Sequence, residues 1–530
     1  MKKTKTVIEP QSPDQEIPSA DGAHLGSAIE TAAVKLAKGG GISLVGAGVG
    51  RGIHTLGQIV IARLLGPEAF GLYSVGWTIL RILSNVAQCG LGNGVIRYAS
   101  MFKDSDQSKL KGVLLQSLGL TALASITVGG ALFLSAPWLA SAIFQKPELE
   151  LVLRAFSIGI PLMAALVVAA AGTRASQRMQ YAVYAHDLAQ PCANLLLVII
   201  FYLLGWRLLG AVAAAVLSIG LGLVLALYYL GKLFPSSVSK AIKPSFITKE
   251  LLSFSLPLLF VGFFGNLVMW ADILMIGYFR PAVDAGIYRA AAQISVLFVL
   301  ILGAFNSIFA PMVAELYYKR DLKMAHQLFK ISTKWVTCLS LPPFLVIAFA
   351  PHELMEVLFG KDYITGALAL VVLSSAQLFN AATGPVGYVL VMAGHQNVWL
   401  ANTVVAALVN IALNMIFIPQ VGILGAAIAT AVSVMLLFLL GLIEAWILLK
   451  MSPYDRRYWK VAVAALVTVG SLLLFRQLQP SHLIVLVGAS LISLGTFVST
   501  LVLVGLDLEE KAILRKAYLK LSLSKNAGGN

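Results

Sequence analysis

Long apolar stretches separated by short polar loops run along almost the whole chain. Crossing a bilayer takes about 20 apolar residues, and windows of that length fall near 41–64, 72–97, 112–134, 149–172, 181–204, 208–231, 251–278, 286–314, 327–350, 364–392, 397–418, 421–449, 459–475 and 482–506. Hydrocarbon leaves no partner for unpaired backbone groups, and runs this continuously apolar do not suit barrel strands. The pattern therefore predicts an all-α, polytopic membrane protein with about 14 transmembrane helices.

The composition excludes a soluble protein. Of the 530 residues, 58% are hydrophobic and 12% are charged, whereas a soluble domain has roughly 45–50% apolar and 25% charged residues. The net charge of +15 comes from basic residues at segment ends, where they set topology and meet anionic lipids, so we expect no nucleic-acid partner. Cys89, Cys192 and Cys338 lie in or beside apolar runs without ligand spacing, so neither a disulfide nor a metal site is predicted.

Loop charges predict the orientation. If the N-terminus lies inside, the loops on that side carry eighteen Lys and Arg and the opposite loops carry six. By the positive-inside rule, both termini are then cytoplasmic and the protein lies in the cytoplasmic (inner) membrane. The start MKKTK is not followed by an apolar core and cleavage site, so we predict no cleaved signal peptide.

A faint internal duplication divides the chain. Gly71 and Tyr73 in FGLYS recur as Gly286 and Tyr288 in AGIYR, at an offset of 215 residues. The same offset relates a second set, in which Gly210, Ala211, Ala214 and Ser218 recur as Gly425, Ala426, Ala429 and Ser433. Six helices fit this offset, which predicts two pseudo-symmetric six-helix bundles of equal orientation; chance matching of common small residues is the alternative.

The predicted domains are a cytoplasmic tail 1–40, a bundle 41–231, a cytoplasmic linker 232–250, a bundle 251–450, two additional C-terminal helices 451–506 and a basic cytoplasmic tail 507–530.

Polar residues inside the spans are candidates for substrate binding, because an ionisable group at membrane depth must face water or a partner. Arg51, His54 and Gln58 share one face of the first helix, and Arg81, Asn85 and Gln88 form a similar stripe on the second. Arg289 in the eighth helix is a further candidate, with an interfacial anchor as the alternative. The arginine-bearing stripes predict a water-filled cationic cavity, which would suit a headgroup that carries a pyrophosphate because guanidinium binds phosphate oxygens in bidentate pairs. Structural contacts between helices are the alternative for Arg51 and His54.

Acids within apolar runs are candidates for ion coupling. Asp272, Asp187 and Glu444 are predicted to bind Na⁺ or H⁺ or to pair with an arginine, and Asp272 is preferred. No GxxxxGK[ST] loop is present, and GAGVGRG at 46–52 has Arg51 in place of the third glycine within a spanning helix. We therefore expect no cofactor, no direct use of ATP and no enzyme activity.

The stretch ARLLGPEAFGLYSVGWTILRILSNVAQCGLGNGVIRY resembles the opening of the polysaccharide transporter, or O-antigen flippase, family of the multidrug/oligosaccharidyl-lipid/polysaccharide (MOP) exporter superfamily. FSLPLLF, WADILMIGYF, AGIYRAAAQI, APMVAEL, VLFGKDY, VLVMAGHQN and LNMIFIPQVGILGAAIAT resemble later segments of that family in order, over roughly 41–450. The resemblance implies two six-helix bundles in a V, a central cavity and alternating access that moves a lipid-linked oligosaccharide outward. Fourteen helices also resemble the lipid II flippase branch, so the glycan stays open.

Three functions therefore remain. The favoured one is a flippase for a polyprenyl-pyrophosphate oligosaccharide in envelope or polysaccharide synthesis, with membrane lipids and a polymerase or glycosyltransferase as partners. A multidrug cation antiporter of the same superfamily would favour acidic cavity residues, and the arginines argue against it. A non-transporting scaffold would use the last two helices and the basic tail at Lys511, Arg515, Lys516 and Lys520 as a docking surface.

Overall fold

The computed structural model describes residues 21–505, apart from 177, 179, 236–238, 240 and 478–481. Every regular element in this part of the chain is a helix and none is a strand, which confirms the predicted all-α class. The predicted tail 507–530 and the first twenty residues lie outside the described residues.

Seventeen α-helices follow one another along the described chain, and we number them in order. They are α1 (Asp21–Ala87), α2 (Leu91–Phe102), α3 (Gln107–Trp138), α4 (Leu149–Ala175), α5 (Gln190–Leu203), α6 (Arg207–Leu233), α7 (Thr248–Phe279), α8 (Ala282–Ser295), α9 (Leu297–Tyr318), α10 (Leu322–Phe349), α11 (Pro351–Phe359), α12 (Ala367–Thr383), α13 (Val386–Met392), α14 (Gln396–Val421), α15 (Ile423–Leu449), α16 (Tyr458–Arg476) and α17 (His482–Val504). A short turn Gln180–Ala182 and a π-helical segment Val183–Ala189 lead into α5, and a 3-10 turn Lys361–Gly366 leads into α12.

Within the described residues, twelve helices are long and apolar enough to span a membrane. The first of these, Gly48–Ala87, covers 40 residues and contains a kink at Gly66, whose φ of 75° and ψ of 170° leave the helical region just before Pro67. The loop predicted between the first two segments is therefore a bend, because glycine adopts this conformation easily and proline cannot donate the next helical hydrogen bond. Within α7, the stretch Trp270–Phe279 is a shorter apolar helix. The count of fourteen stays a prediction.

Aromatic packing builds the core of residues 48–233, which we call the first half. Tyr73 and Trp77 on α1 stack at 6.2 Å between ring centroids, and Phe156 on α4 meets their edges at 5.6 and 6.0 Å. All three rings are buried. Because α4 also packs against α3 and α6, this cluster ties the arm of α1 after the kink to the rest of the first half.

Residues 248–449, which we call the second half, contact the first half chiefly through α1 and α8. Gly71 and Gly286 face each other at this contact: a Cβ on Gly71 would overlap the carbonyl of Ala282, and one on Gly286 would overlap the carbonyl of Pro67. These two glycines are equivalent in the 215-residue duplication. The contact therefore places the same small residue from each half at one point of close approach.

The remaining elements lie around these two halves. In the predicted linker, Lys111 on α3 donates to the carbonyl of Ser239 at 2.5 Å, and the backbone N–H of Ser245 donates to the carbonyl of Ser108 at 2.9 Å. The last two helices, α16 and α17, pack on each other and on α10. The division into domains stays a prediction.

We expect Gly71→Ala to destabilise the protein relative to Gly119→Ala. Both changes gain helix propensity, but only the first puts a methyl group against backbone, since a Cβ at Gly119 meets nothing within 4 Å. Overpacking typically costs about 1–3 kcal/mol. Thermal unfolding in detergent measures the difference, and equal melting temperatures for the two variants would contradict the close contact.

Candidate functional site

A cavity of about 460 Å³ lies between the two halves. Its walls come from α1, α4, α5 with the π-helical segment before it, α7, α8, α9, α12 and α15. This volume is within the range of small-molecule sites, about 300–1,000 Å³. The cavity is the candidate site because four of the predicted substrate-binding residues and two of the predicted ion-coupling residues line it.

Three arginines make the cavity cationic. Arg51 on α1, Arg81 beyond the kink and Arg289 on α8 all line it. No ion pair joins any of the three to a carboxylate within the described part of the chain. The Arg81 guanidinium lies over the ring of Trp270, 5.8 Å from its centroid. The three guanidinium groups therefore offer their hydrogen-bond donors to an anion in the cavity.

Uncharged groups connect the halves at the cavity wall. Gln293 on α8 donates from Nε2 to the hydroxyl of Thr55 on α1 at 3.0 Å, and both side chains are buried. His54, predicted to face the substrate, lines the cavity beside this pair. The wall around the arginines therefore also contains amide and hydroxyl groups.

The π-helical segment Val183–Ala189 brings a second polar pair to the cavity. His186 Nδ1 lies 2.7 Å from Asp187 Oδ1, and both residues line the cavity. Gly50 on α1 allows the close approach, since a Cβ there would overlap the carbonyl of Asp187. A π-bulge adds a residue to a helical turn and is frequent at functional sites.

Asp272 on α7 lies in a hydrogen-bonded cluster at the cavity edge and is only 2% exposed. Tyr288 donates its hydroxyl to Oδ2 at 2.5 Å, and the hydroxyl of Thr430 also donates to Oδ2. Asn414 donates from Nδ2 to Oδ1 at 2.7 Å, and Asn410 links Asn414 to Thr430. The carboxylate is thus surrounded by hydroxyl and amide groups on α8, α14 and α15.

Amide groups lie near the corresponding tyrosine of the first half. Tyr73, the equivalent of Tyr288 in the duplication, lies near Gln58 and Asn194, but its hydroxyl has no hydrogen-bond partner among the described residues. All three residues are buried, and Gln58 is 1% exposed. The two halves therefore differ in the charge beside this tyrosine, with the amide of Gln58 in one and the acid Asp272 in the other, although these two residues are not equivalent in the duplication.

Four predicted residues lie outside the cavity lining. Gln58 shares the face of Arg51 but lies two turns nearer the kink, where α1 is packed against its neighbours. Asn85 and Gln88 lie one and two turns beyond Arg81, toward the end of α1. Glu444 accepts a hydrogen bond from Asn402 Nδ2 at 2.5 Å, between α14 and α15. Helical spacing identified the shared face of Gln58, Asn85 and Gln88 with the arginines but not the depth at which the cavity ends, and Glu444 was chosen only as an acid in an apolar run.

Several site residues were not identified from the sequence. Trp270, Gln293, Asn414 and Thr430 take part in the site. Asn410 and Asn414 are four residues apart in an apolar helix, so their shared face was a usable signal. The duplication had already marked Tyr288, although not as a partner of Asp272.

A family model described as "Polysaccharide biosynthesis protein" matches residues 36–317. Among curated relatives, the chain is 26% identical over 200 residues to the "Probable low-salt glycan biosynthesis flippase Agl15" of Haloferax volcanii, covering 37% of this chain and 42% of that protein. It is 24% identical over 428 residues to the "Stage V sporulation protein B" of Bacillus subtilis, covering 76% of this chain and 82% of that protein. The chain thus spans less than half of the first relative and most of the second.

A solved structure titled "Lipid II flippase MurJ, inward closed conformation" matches with a TM-score of 0.70 at 12% identity, covering 86% of this chain and 97% of that one. An inward-facing multidrug transporter of the MATE family, in the MOP superfamily, matches with a TM-score of 0.61 at 17% identity, covering 74% of this chain and 93% of that one. Identities this low support a shared fold alone.

We expect Arg51→Met to weaken binding of inorganic pyrophosphate, used as an anionic probe, by roughly 10- to 100-fold, since a hydrogen bond to a charged group contributes about 1.5–3 kcal/mol. Titration of the purified protein in detergent measures this affinity. Arg207→Met is the matched control, because Arg207 is exposed at the start of α6 and does not line the cavity. Equal affinities in the two variants would contradict an anion site at Arg51.

Proposed function

Because the chain belongs to the polysaccharide biosynthesis protein family, we propose that it is a flippase that translocates a polyprenyl-pyrophosphate oligosaccharide across the cytoplasmic membrane. The observation that carries this proposal is the set of three arginines, without carboxylate partners among the described residues, in one cavity between the halves. The proposed activity is transport rather than catalysis. The names of the Haloferax relative and of the lipid II flippase, each a flippase, support it.

The chemical problem is to move a charged and hydroxylated headgroup through hydrocarbon. An unpaired charge in an apolar medium costs far more than protein stability allows. Guanidinium groups replace the water around the pyrophosphate, and the amide and hydroxyl groups of Gln293, Thr55 and Gln377 replace water around the sugar. Alternating access, by rocking of the two halves, then exposes the loaded cavity to each side in turn.

Asp272 is the proposed coupling site, for Na⁺ or H⁺. Its carboxylate supplies the only formal charge in its cluster, and hydroxyl and amide groups surround it. The Oδ1 atom of Asn414 is buried, has no hydrogen-bond partner in the described part of the chain, and offers a further oxygen ligand to a cation. Asp187 lines the cavity beside His186 and is the second candidate. Glu444 is bonded to Asn402 outside the cavity lining, which favours a structural role.

The proposed setting follows the orientation predicted from loop charge. Both termini lie in the cytoplasm, and the lipid-linked substrate enters from the inner leaflet. A polymerase or glycosyltransferase that makes or uses the substrate is the expected protein partner.

We expect reconstituted protein to move a fluorescent polyprenyl-pyrophosphate oligosaccharide across proteoliposome membranes and Arg51→Ala to reduce that rate at least tenfold. The loss follows because one of three cationic groups no longer replaces water around the pyrophosphate. Arg207→Ala serves as the control and should retain the wild-type rate. A cationic dye assayed in parallel separates the alternatives: dye movement without lipid movement would favour the antiporter, and neither movement would favour the scaffold.

We expect Asp272→Asn to abolish the dependence of transport on an imposed Na⁺ or proton gradient. The change keeps side-chain volume but removes the charge that binds the coupling ion. Glu444→Gln is the matched control and should keep that dependence. Stimulation by the gradient is measured as the ratio of initial rates with and without it, and a wild-type ratio in Asp272→Asn would exclude this residue as the coupling site.

A further inference from the structure

Hydrogen bonds between the halves hold together the kink end of the molecule, by which we mean the end where α1 bends at Gly66 and α7 ends at Phe279. Lys146, in the connection between α3 and α4, donates from Nζ to the carbonyl of Gly277 at 2.5 Å. Tyr363, just before α12, donates its hydroxyl to the carbonyl of Ala62 at 2.8 Å. A connection from each half therefore reaches the first long helix of the other.

Arg63 adds a bidentate contact at the same end. Its Nε donates to the carbonyl of Leu358 at 2.9 Å, and its Nη2 donates to the carbonyl of Val357 at 2.5 Å. Burial lowers the pKa of the Lys146 ammonium, which also donates to the carbonyl of Phe144 at 3.2 Å. Two cations of the first half are thus directed at backbone oxygens of the second.

The cations bind carbonyls that their own helices leave open. At the end of α7, the last backbone bond runs from Arg280 N–H to the Ile276 carbonyl, and Gly277 is the next carbonyl. At the end of α11, the bond from Gly360 N–H to the Glu356 carbonyl is followed by the open carbonyls of Val357 and Leu358. The final carbonyls of a helix lack intrahelical donors, and its dipole favours cations there.

In the contacts made by Lys146 and Tyr363, the acceptor residues are equivalent in the internal duplication, but the donor residues are not. Ala62 and Gly277 are equivalent at the offset of 215, as are the buried rings of Phe144 and Phe359. The equivalent of Lys146 is Lys361, which is exposed. Each half thus donates a hydrogen bond to the equivalent backbone carbonyl of the other half. The donor is the ammonium of Lys146 in one case and the phenol of Tyr363 in the other.

The contacts close the molecule on one side of the cavity. Five residues beyond the kink residue Gly66, Gly71 packs against Gly286, and the two glycines leave no room for side chains between α1 and α8. Arg51 lies twelve residues before Arg63, about 18 Å along the helix. At the opposite end the halves meet differently, with Arg97 4.3 Å from the ring centroid of Phe254 and the Tyr98 hydroxyl 3.3 Å from the carbonyl of Glu250.

We propose that Lys146, Tyr363 and Arg63 form a latch that holds the kink end closed and must break for the cavity to open there. All of its acceptors are backbone carbonyls. The latch thus depends on the position of helix ends and not on the presence of an acid. It sets the resting balance between closed and open forms, whichever molecule is transported, so its test does not depend on the proposed substrate.

Electron–electron distance measurement between two spin labels tests the latch in the full-length chain in lipid nanodiscs, without substrate. The labels are attached at Leu204→Cys and Gln420→Cys, exposed positions at the kink-end tips of α5 and α14. The native cysteines Cys89, Cys192 and Cys338 are changed to alanine.

Loss of one charge-assisted hydrogen bond should shift the open-to-closed ratio roughly tenfold. We therefore expect Lys146→Met to increase the long-distance population by that factor, and Tyr363→Phe, which removes one hydroxyl, to increase it by about threefold or more. Lys361→Met is the matched control and should leave the distances unchanged, while Lys146→Arg should restore the closed form.

The measurement separates two results. A long-distance population that rises in Lys146→Met and Tyr363→Phe but not in Lys361→Met supports the latch. Distances in both latch variants equal to those of Lys361→Met would overturn it. Tyr363→Phe conserves shape, so it decides the result even where Lys146→Met does not fold. The distances are measured without substrate, so a negative result in the oligosaccharide transport assay would not change them. The flippase proposal and the latch proposal can therefore fail independently.

Discussion

Hydrocarbon offers no hydrogen-bond partner to a peptide group or a charge, and this constraint accounts for both the fold and the location of the site. It requires every spanning backbone to be helical. It also requires Arg51, Arg81 and Arg289 to face a shared cavity instead of lipid, because none is paired with a carboxylate in the described residues. Interruptions of the helices occur where other groups satisfy the backbone, as at the ends of α7 and α11, where Lys146 and Arg63 donate to the open carbonyls.

The two halves have similar helix packing but different polar side chains at equivalent tyrosines. Gly71 and Gly286 are equivalent, and each permits close helix packing. Tyr73 and Tyr288 are also equivalent, but the first lies beside Gln58 and the second donates to Asp272. Packing brings a glycine from each half to the point of close approach, whereas a carboxylate lies beside the tyrosine of the second half and an amide beside that of the first. An internal duplication can thus retain its geometry while its charges diverge.

Much of this organisation was predictable, because hydropathy and periodicity are local properties of the sequence. Apolar runs gave the all-α class, and helical spacing placed Arg51 and His54 on one face, where both line the cavity. The same spacing put Gln58 on that face but could not reveal that the side chain is buried there, since its neighbours are Tyr73, beyond the kink at Gly66, and Asn194 on the distant α5. The bond between Lys146 and Gly277 joins residues 131 apart. No local pattern distinguishes Lys146 from the exposed Lys361.

Single rigid helices connect the cavity, the carboxylate and the kink end. On α1, Arg51 faces the cavity and Arg63 binds the carbonyls at the end of α11. On α7, Asp272 lies five residues before Gly277, the acceptor of Lys146. Tyr288 and Arg289 are neighbours on α8, and adjacent helical residues point about 100° apart, so one contacts Asp272 while the other faces the cavity. A helix cannot move one such group while leaving the other in place, and communication between sites needs an element of this kind with two arrangements. The proposed latch supplies the second arrangement: when its hydrogen bonds break, α1 and α7 are released together, and the surroundings of Arg51 and Asp272 change in the same step.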